Sequence, residues 1–428
     1  MASKKLDPKF LGYRCSLCGK EYSPSEITYT CTKDGGNLDV ILDYQAIHTK
    51  YQPEDILSRT DSSLWSFLPL LPVPGAPGDS TPLHAAGGTP VYALPRLAER
   101  LGLQNLWLKD ESRNPTASFK DRASAIVVAR AQEIGAEMIV TASTGNAGAA
   151  LAGMSAAVGQ KAIIFAPKSA PAAKVAQLLV YGARVILVDG TYDEAFDLTV
   201  KAAEEFGWYC RNTGYNPFTA EGKKTAAFEI WAWWQSVHAV WHQQHGEGLD
   251  HAPLTVFVSV GDGNIISGIH KGFKDLLELG WLTRMPRLIG VQAAGSAAIA
   301  AAFQANTEKI TPVSAQTIAD SISVDLPRDG VRAVRAARDT NGTYITVSDD
   351  EILQAIAELG KMGIFAEPAG ATAYAGLVRA AAQGLVRSEE PILVINTGSG
   401  LKDVRAAMQA VAPAPVIEPT LAAVKKIL

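Results

Sequence analysis

With 428 residues, 47% of them hydrophobic and 19% charged, the chain reads as globular, with two or three domains and ample core. Lys and Arg total 39 against 43 Asp and Glu, a formal charge of −4, which excludes the basic face that nucleic acid or an anionic membrane would need. No apolar run reaches the ~18 residues of a membrane span, and the opening MASKKLDPKF has no apolar signal core, so the expectation is a cytoplasmic protein acting on a small molecule.

Residues 1–45 read as a zinc-ribbon-like module. Cys15 and Cys18 form a C-x2-C pair, and Cys31 opens a second such turn in which Asp34 stands where the fourth thiol would be. Three thiolates and a carboxylate can ligate zinc; the alternative is a ribbon that folds by packing without metal. Residues 46–80 read as a Pro-rich connector, with Pro69, Pro72, Pro74 and Pro77 flanking the apolar stretch Leu64 to Leu71. An extended, semi-rigid strap is expected there.

From residue 105 short apolar runs alternate with Ala-rich stretches. Strands are expected at Leu106–Lys109, Met138–Thr141, Lys161–Ala166, Arg184–Val188, Trp208–Arg211, Thr255–Val260, Arg287–Gln292 and Ile392–Asn396. Helices fill the gaps, for example at Ala147–Val158, Ala172–Tyr181 and Tyr192–Phe206. This spacing is that of βαβ units and predicts α/β architecture with parallel sheets covered on both faces. Cys210 reads as a buried small apolar residue, and Trp231, Trp233, Trp234 and Trp241 as core or a subunit contact. His238, His242 and His245 fall on a solvated turn without metal spacing, and Lys223 and Lys224 are expected to face solvent. Glu367 precedes a helix, as a cap or as a site carboxylate.

Four strand-to-helix junctions carry candidate chemistry, because ligands of parallel α/β folds bind at the C-terminal ends of strands. The first, Asn114 to Arg122, places Lys120 at the opening turn of a helix. Ser118 with Asp121 three residues on has the pattern of a capping box. The positive end of the helix dipole disfavours an ammonium there, which suits a lysine that attacks a carbonyl as a neutral amine. The second, Thr141 to Gly148, offers hydroxyls, Asn146 and free backbone amides to an anion such as a carboxylate. In the third, Val260 to Gly268, Gly261 and Gly263 allow amides to close around a phosphate. The fourth is Asn396 to Asp403, after the last strand. Together they suit a cofactor that bears both a phosphate and a carbonyl.

The segments GGTP at 87–90, NPTASFKDR at 114–122, TASTGN at 141–146, NPFTAEGKKT at 216–225, EPAGATAYAGL at 367–377 and NTGSGLKD at 396–403 resemble those of the threonine synthases. These are fold type II pyridoxal-phosphate enzymes of the tryptophan synthase β-like superfamily. The resemblance implies two parallel-sheet domains: a large cofactor domain, residues 81–124 and 226–428, and a small mobile domain, 125–225, that closes over the site. It implies that Lys120 forms the Schiff base with pyridoxal 5'-phosphate and later shuttles protons. Asn146 would meet the cofactor's phenolic oxygen, and Ser143, Thr144 and Gly145 the substrate carboxylate. Gly261, Asp262, Gly263 and Asn264 would line the phosphate, and Thr397 would face the pyridine nitrogen. A neutral hydroxyl there makes the ring a milder electron sink, which favours elimination and replacement over transamination. A small amino-acid substrate and a homodimer are also implied.

Two segments depart from the family pattern. Gly-Asp-Gly-Asn replaces the usual Gly-Gly-Asn-type phosphate loop, and an aspartate beside a phosphate repels it, so the Asp262 side chain is expected to turn toward a helix N-terminus. Arg211 to Pro217 differs where the family binds the leaving phosphate of its substrate. The departures bear on the identity of the substrate. On the resemblance, the expected reaction is that of a threonine synthase, O-phospho-L-homoserine and water giving L-threonine and phosphate. Its alternative is a simpler β-elimination or β-replacement, as in threonine or serine dehydratases and diaminopropionate ammonia-lyases. A ligand-binding protein without catalysis would be expected to lack Lys120 or the carboxylate loop.

Overall fold

The computed structural model describes residues 7–26, 29–245 and 253–428. The chain opens with a small antiparallel sheet of β1 (Phe10–Cys15), β2 (Glu21–Tyr22) and β3 (Leu38–Leu42), in the order β2-β1-β3. Leu38, Val40 and Leu42 alternate inward on β3, the period of a half-buried strand.

The apolar run after it is not an extended strap. Leu64–Leu70 is a 3-10 helix, and Leu64, Trp65, Phe67 and Leu70 are buried in the main core. The Trp65 indole N–H donates to the Leu83 carbonyl at 3.3 Å. An extended strap would have left these side chains in water, at ~2 kcal/mol each. Their burial outweighs the local preference of the surrounding prolines.

Six strands form the larger sheet: β4 (Val91–Ala93), β5 (Leu106–Asp110), β10 (Thr255–Ser259), β11 (Arg287–Ala293), β12 (Thr343–Val347) and β13 (Ile392–Asn396). Their order is β12-β11-β10-β13-β5-β4, parallel except for the antiparallel edge strand β4. Every residue of β10 and β13 is buried, as continuous apolar runs such as TVFVS and ILVIN require when helices cover both faces. A second, all-parallel sheet has the order β8-β7-β6-β9, from β6 (Met138–Ala142), β7 (Lys161–Pro167), β8 (Arg184–Val188) and β9 (Tyr209–Cys210). The eight expected strands match observed ones, two of them to the residue; β4 and β12 have no counterpart in the sequence reading.

Trp231 is buried and stacks on Trp281, while Trp107 lies edge-on to Trp233 and Trp234, so these rings pack the core. The side chains of Trp241, His242 and His245 lie outside the described residues. No helix among the described residues is long and apolar enough to cross a membrane.

Candidate active site

The segment before Lys120 is anchored by its own side chains. Asn114 accepts from the Gly87 amide at 2.9 Å and donates to the Glu111 carboxylate at 2.9 Å. Ala117 adopts a left-handed conformation, φ 66°, and on either side of it the chain pairs with the loop after β13. The Phe119 amide donates to the Thr397 carbonyl at 2.9 Å, and the Ser399 amide to the Ala117 carbonyl at 3.1 Å. The helix then runs Lys120–Ile134.

The expected capping box is absent. Phe119 occupies the cap position without a side-chain bond, the Ser118 hydroxyl is buried and unpaired, and Asp121 turns back to the loop. Its carboxylate accepts from the Thr116 amide at 2.6 Å and from the Thr116 hydroxyl. The left-handed turn at Ala117 carries Thr116 onto the helix start, so Asp121 satisfies the loop rather than the cap. Burial raises the Asp121 carboxyl to about 6, against those hydrogen bonds.

Below, Arg122 is fully buried. It donates to Glu111 at 2.7 Å and to Glu229 at 2.6 Å, and Lys109 reaches Glu229 at 2.7 Å. Two cations and two carboxylates thus lock the helix that carries Lys120 to the β5 end. The motif divides into one reactive side chain and a set of fasteners.

Lys120 lies on a cavity of about 470 Å³ between the two parallel sheets. Burial lowers its pKa; Arg211 acts in the same direction, and Asp262 and Glu367 oppose. Ser143, Thr144, Gly145, Asn146, Gly261, Asp262, Gly263 and Thr397 line the same cavity. Ser143 to Gly145 connect β6 to the helix Asn146–Ala157 and sit at its N-terminus; the Ser143 amide donates to the Phe165 carbonyl at 3.0 Å, which leaves its hydroxyl and the Thr144 and Gly145 amides for a ligand. Gly261 and Gly263 connect β10 to the helix Asn264–Glu278. A Cβ on Gly261 would lie 2.8 Å from the Ile322 Cα, and one on Gly263, at φ 93°, 2.7 Å from the Asp329 carbonyl. Only glycine lets this loop close against the 322–329 segment.

Asp262 accepts from the Asn264 amide at 3.0 Å, at the start of that helix. Asn264 is not among the lining residues. Its amide group donates to Asp329 at 2.7 Å and accepts from Lys223 at 2.5 Å, behind the loop. Asn146 donates to Glu367 at 2.7 Å. Glu367 precedes the helix Pro368–Ala382 yet makes no side-chain cap, and its carboxylate lines the cavity. Burial raises its pKa, against Asn146 and Lys120.

The sequence reading missed two cations. Lys223 and Lys224 do not face solvent; both are fully buried. The short helix Phe218–Lys223 is wedged between the helices that begin at Lys120 and Asn264. A Cβ on Gly222 would meet the Arg122 carbonyl at 2.2 Å, and one on Gly268 the Lys223 Cβ at 2.7 Å. These two glycines were the available signal. Lys224 is neutralised by Asp275 at 2.7 Å. Lys223 is not: burial, reinforced by Lys120, pushes its pKa well down. Arg211 is likewise buried, with one guanidinium nitrogen unpaired, and burial lowers it to about 10. Among the described residues, none of Lys120, Lys223 and Arg211 forms an ion pair with a carboxylate. The remaining candidates, Cys15, Cys18, Cys31 and Asp34, lie apart on the three-stranded sheet, their ligand atoms within 4.8 Å of one another.

Comparison with known proteins agrees with this geometry. A family model described as pyridoxal-phosphate dependent enzyme matches residues 83–398. The threonine synthase of Methanocaldococcus jannaschii is 39% identical over 422 residues, covering 97% of this chain and 98% of that protein. That of Methanosarcina acetivorans is 35% identical over 417 residues, covering 96% and 97%. Among solved structures, the diaminopropionate ammonia lyase of Escherichia coli in complex with D-serine aligns with a TM-score of 0.64 at 20% identity, over 85% of this chain and 94% of that one. That last likeness is one of fold, and with its companions it bears out the expected tryptophan synthase β-like, fold type II architecture. On the family match and the two near full-length relatives, the chain belongs to the pyridoxal-phosphate-dependent enzymes and, among them, to the threonine synthases.

Proposed function

We propose that this pyridoxal-phosphate-dependent enzyme converts O-phospho-L-homoserine and water to L-threonine and phosphate. The residues present fit the cofactor. Lys120 offers a buried amine whose pKa is lowered, and the glycine-walled loop at 261–263 offers backbone amides at a helix start. When bound, pyridoxal phosphate supplies an electron sink that stabilises negative charge on the substrate carbons.

The chain's own residues would do the rest. Lys120, once free as a neutral amine, takes the proton from the substrate α-carbon and handles protons at the β-carbon. Ser143, Thr144 and Gly145 hold the substrate carboxylate with hydroxyls and helix-start amides. Asn146, held by its bond to Glu367, would meet the cofactor's phenolic oxygen. Gly261 and Gly263 would receive the cofactor phosphate, while the Asp262 carboxylate accepts from the Asn264 amide at the helix start. Asn264 acts from behind, holding Lys223. Thr397, which lines the cavity, would offer a neutral hydroxyl to the ring nitrogen.

The observation that carries the substrate assignment is the near full-length likeness to two threonine synthases. Arg211 is buried with one guanidinium nitrogen unpaired and no carboxylate in ion-pair contact, which favours the arrival of an anion, whereas burial drives the Lys223 amine toward its neutral form. A substrate that brings a phosphate of its own, beyond that of the cofactor, supplies that anion. Threonine, serine and diaminopropionate bring none.

Closure of a small domain, residues 125–225, would exclude water from the reacting site. Lys174 to Asp320 at 2.5 Å and Lys402 to Gln177 at 3.1 Å already span the cleft and support that reading. A homodimer and a cytoplasmic location rest on the resemblance and the composition. The test is the purified holoenzyme with O-phospho-L-homoserine, followed by amino-acid analysis and phosphate release. Threonine and phosphate should form in equal amounts. Lys120→Ala should abolish both, along with the visible absorption of the bound cofactor, in a protein that keeps its circular dichroism. An unchanged substrate in the presence of bound cofactor would overturn the assignment.

A further inference from the structure

The N-terminal module contains two turns of the same construction. In the first, Cys15 leads to Cys18 and Gly19; in the second, Cys31 leads to Asp34 and Gly35. Gly19 and Gly35 both take the left-handed conformation, at φ 72° and 70°. The Gly19 amide donates to the Cys15 carbonyl at 3.0 Å and the Gly35 amide to the Cys31 carbonyl at 2.9 Å. In each turn the amide two residues after the leading cysteine points at its sulfur. Leu17 donates to Cys15 Sγ at 3.3 Å and Lys33 to Cys31 Sγ at 3.4 Å. Amide donors aimed at the ligating sulfur are the kind of supporting contact a metal site uses to orient its ligands.

The two turns face each other across a small gap. Cys18 Sγ lies 3.8 Å from Cys31 Sγ, and Cys15 Sγ 3.3 Å from Asp34 Oδ1. A tetrahedral ion with metal–sulfur bonds of ~2.3 Å has sulfur–sulfur edges of about 3.8 Å, and sulfur–oxygen edges slightly shorter. A disulfide would need the sulfurs at ~2.05 Å, and all four cysteines are free. Supporting contacts are also in place. The Tyr22 hydroxyl lies 2.9 Å from Cys31 Sγ, and the Gly36 amide donates to Asp34 Oδ1 at 2.9 Å.

We propose that Cys15, Cys18, Cys31 and Asp34 bind one Zn²⁺ ion in a closed, structural site, with Asp34 in the place of a fourth thiolate. Binding displaces three thiol protons and leaves no open coordination position for a substrate. The ion joins β1 to the turn that feeds β3, and that strand reaches the catalytic body. Asn37 donates to the Gly214 carbonyl at 2.5 Å, and Asp39 pairs with Arg332 at 2.7 Å. Arg332 in turn pairs with Asp329, which accepts from Asn264 behind the phosphate loop. The metal site thus props the rear of that loop.

The test is metal analysis of the full-length holoenzyme, purified without chelators, together with cobalt substitution. The expected result is one zinc per chain, and a thiolate-to-cobalt charge-transfer band in the Co²⁺ form. Tyr22→Phe should weaken zinc retention by roughly 10-fold or more, and Cys18→Ser should abolish stoichiometric binding. Asp34→Cys should keep the ion and strengthen the cobalt band by about a third, as three thiolates become four. That variant keeps the proposal testable if Cys18→Ser fails to fold. Wild-type protein that carries no zinc and takes none up from excess Zn²⁺ would overturn the proposal. So would a Co²⁺ form without the thiolate band, or a Cys18–Cys31 disulfide found by mass spectrometry.

Discussion

At the scale of single residues, the state of Lys120 is set by the groups around it. Burial depresses its amine, with Arg211 adding and Asp262 and Glu367 subtracting. In the cofactor-free protein the unprotonated fraction should therefore appear at lower pH than for an ordinary lysine. The rate of cofactor loading should rise with pH to a plateau whose midpoint lies below 10.5, measured by stopped-flow absorbance. A midpoint at or above the ordinary lysine value would contradict the burial argument. Glu229 makes the opposite kind of prediction. Burial alone would raise its carboxyl, but Arg122 and Lys109 outweigh that and hold it at about 2. A depressed carboxylate stabilises the fold above its unfolded value, near 4.5, and loses that contribution as pH falls toward 2. The contribution at neutral pH is on the order of 3 kcal/mol. Glu229→Gln should cost roughly 3–5 kcal/mol at pH 7, because it leaves Arg122 and Lys109 underpaired. It should also flatten the acid limb of the urea-unfolding midpoint against pH.

Lys120, the 141–146 loop and the glycines at 261 and 263 were legible in the sequence because their chemistry is local: a strand end, a helix start and a side chain of the right type. Ser118 and Asp121 were misread because a capping box is only a spacing, and the left-handed turn at Ala117 redirects both groups. Lys223 was misread because the burial of a charge is decided by which helices touch, here at Gly222 and Gly268.

At the scale of elements, parallel strands were the clearest signal, since a strand buried on both faces is a short unbroken apolar run. The 3-10 helix Leu64–Leu70 was not legible, because its conformation is set by the core it fills rather than by its prolines. The turn from β6 into the helix Asn146–Ala157 depends on close backbone approach. A Cβ on Gly148 would stand 2.1 Å from the Ser143 carbonyl oxygen. Gly148→Ala should displace the loop at residues 143–145 with little effect on the distant sheets. We expect a rise in KM of roughly 10- to 100-fold, about 1.4–2.7 kcal/mol of binding, with thermal unfolding changed far less. An unchanged KM would show that Ser143 to Gly145 do not hold the substrate.

At the scale of the molecule, two parallel sheets present the C-terminal ends of their strands to one cavity, and the loops that meet there come from β5, β6, β10 and β13. The N-terminal sheet is fastened to the rear of this arrangement through Asn37 and the Asp39–Arg332–Asp329 relay. The fold alone would serve an ammonia-lyase equally well, since such an enzyme shares it at 20% identity. The near full-length threonine synthase relatives, with the unpaired guanidinium nitrogen of Arg211, favour phosphate release over ammonia release. The most direct measurement is therefore a competition in one vessel, with O-phospho-L-homoserine, L-threonine, L-serine and diaminopropionate at equal concentration, following phosphate and ammonia together. The account predicts phosphate release matched by new threonine, with ammonia slower by orders of magnitude. Ammonia release without phosphate would contradict it.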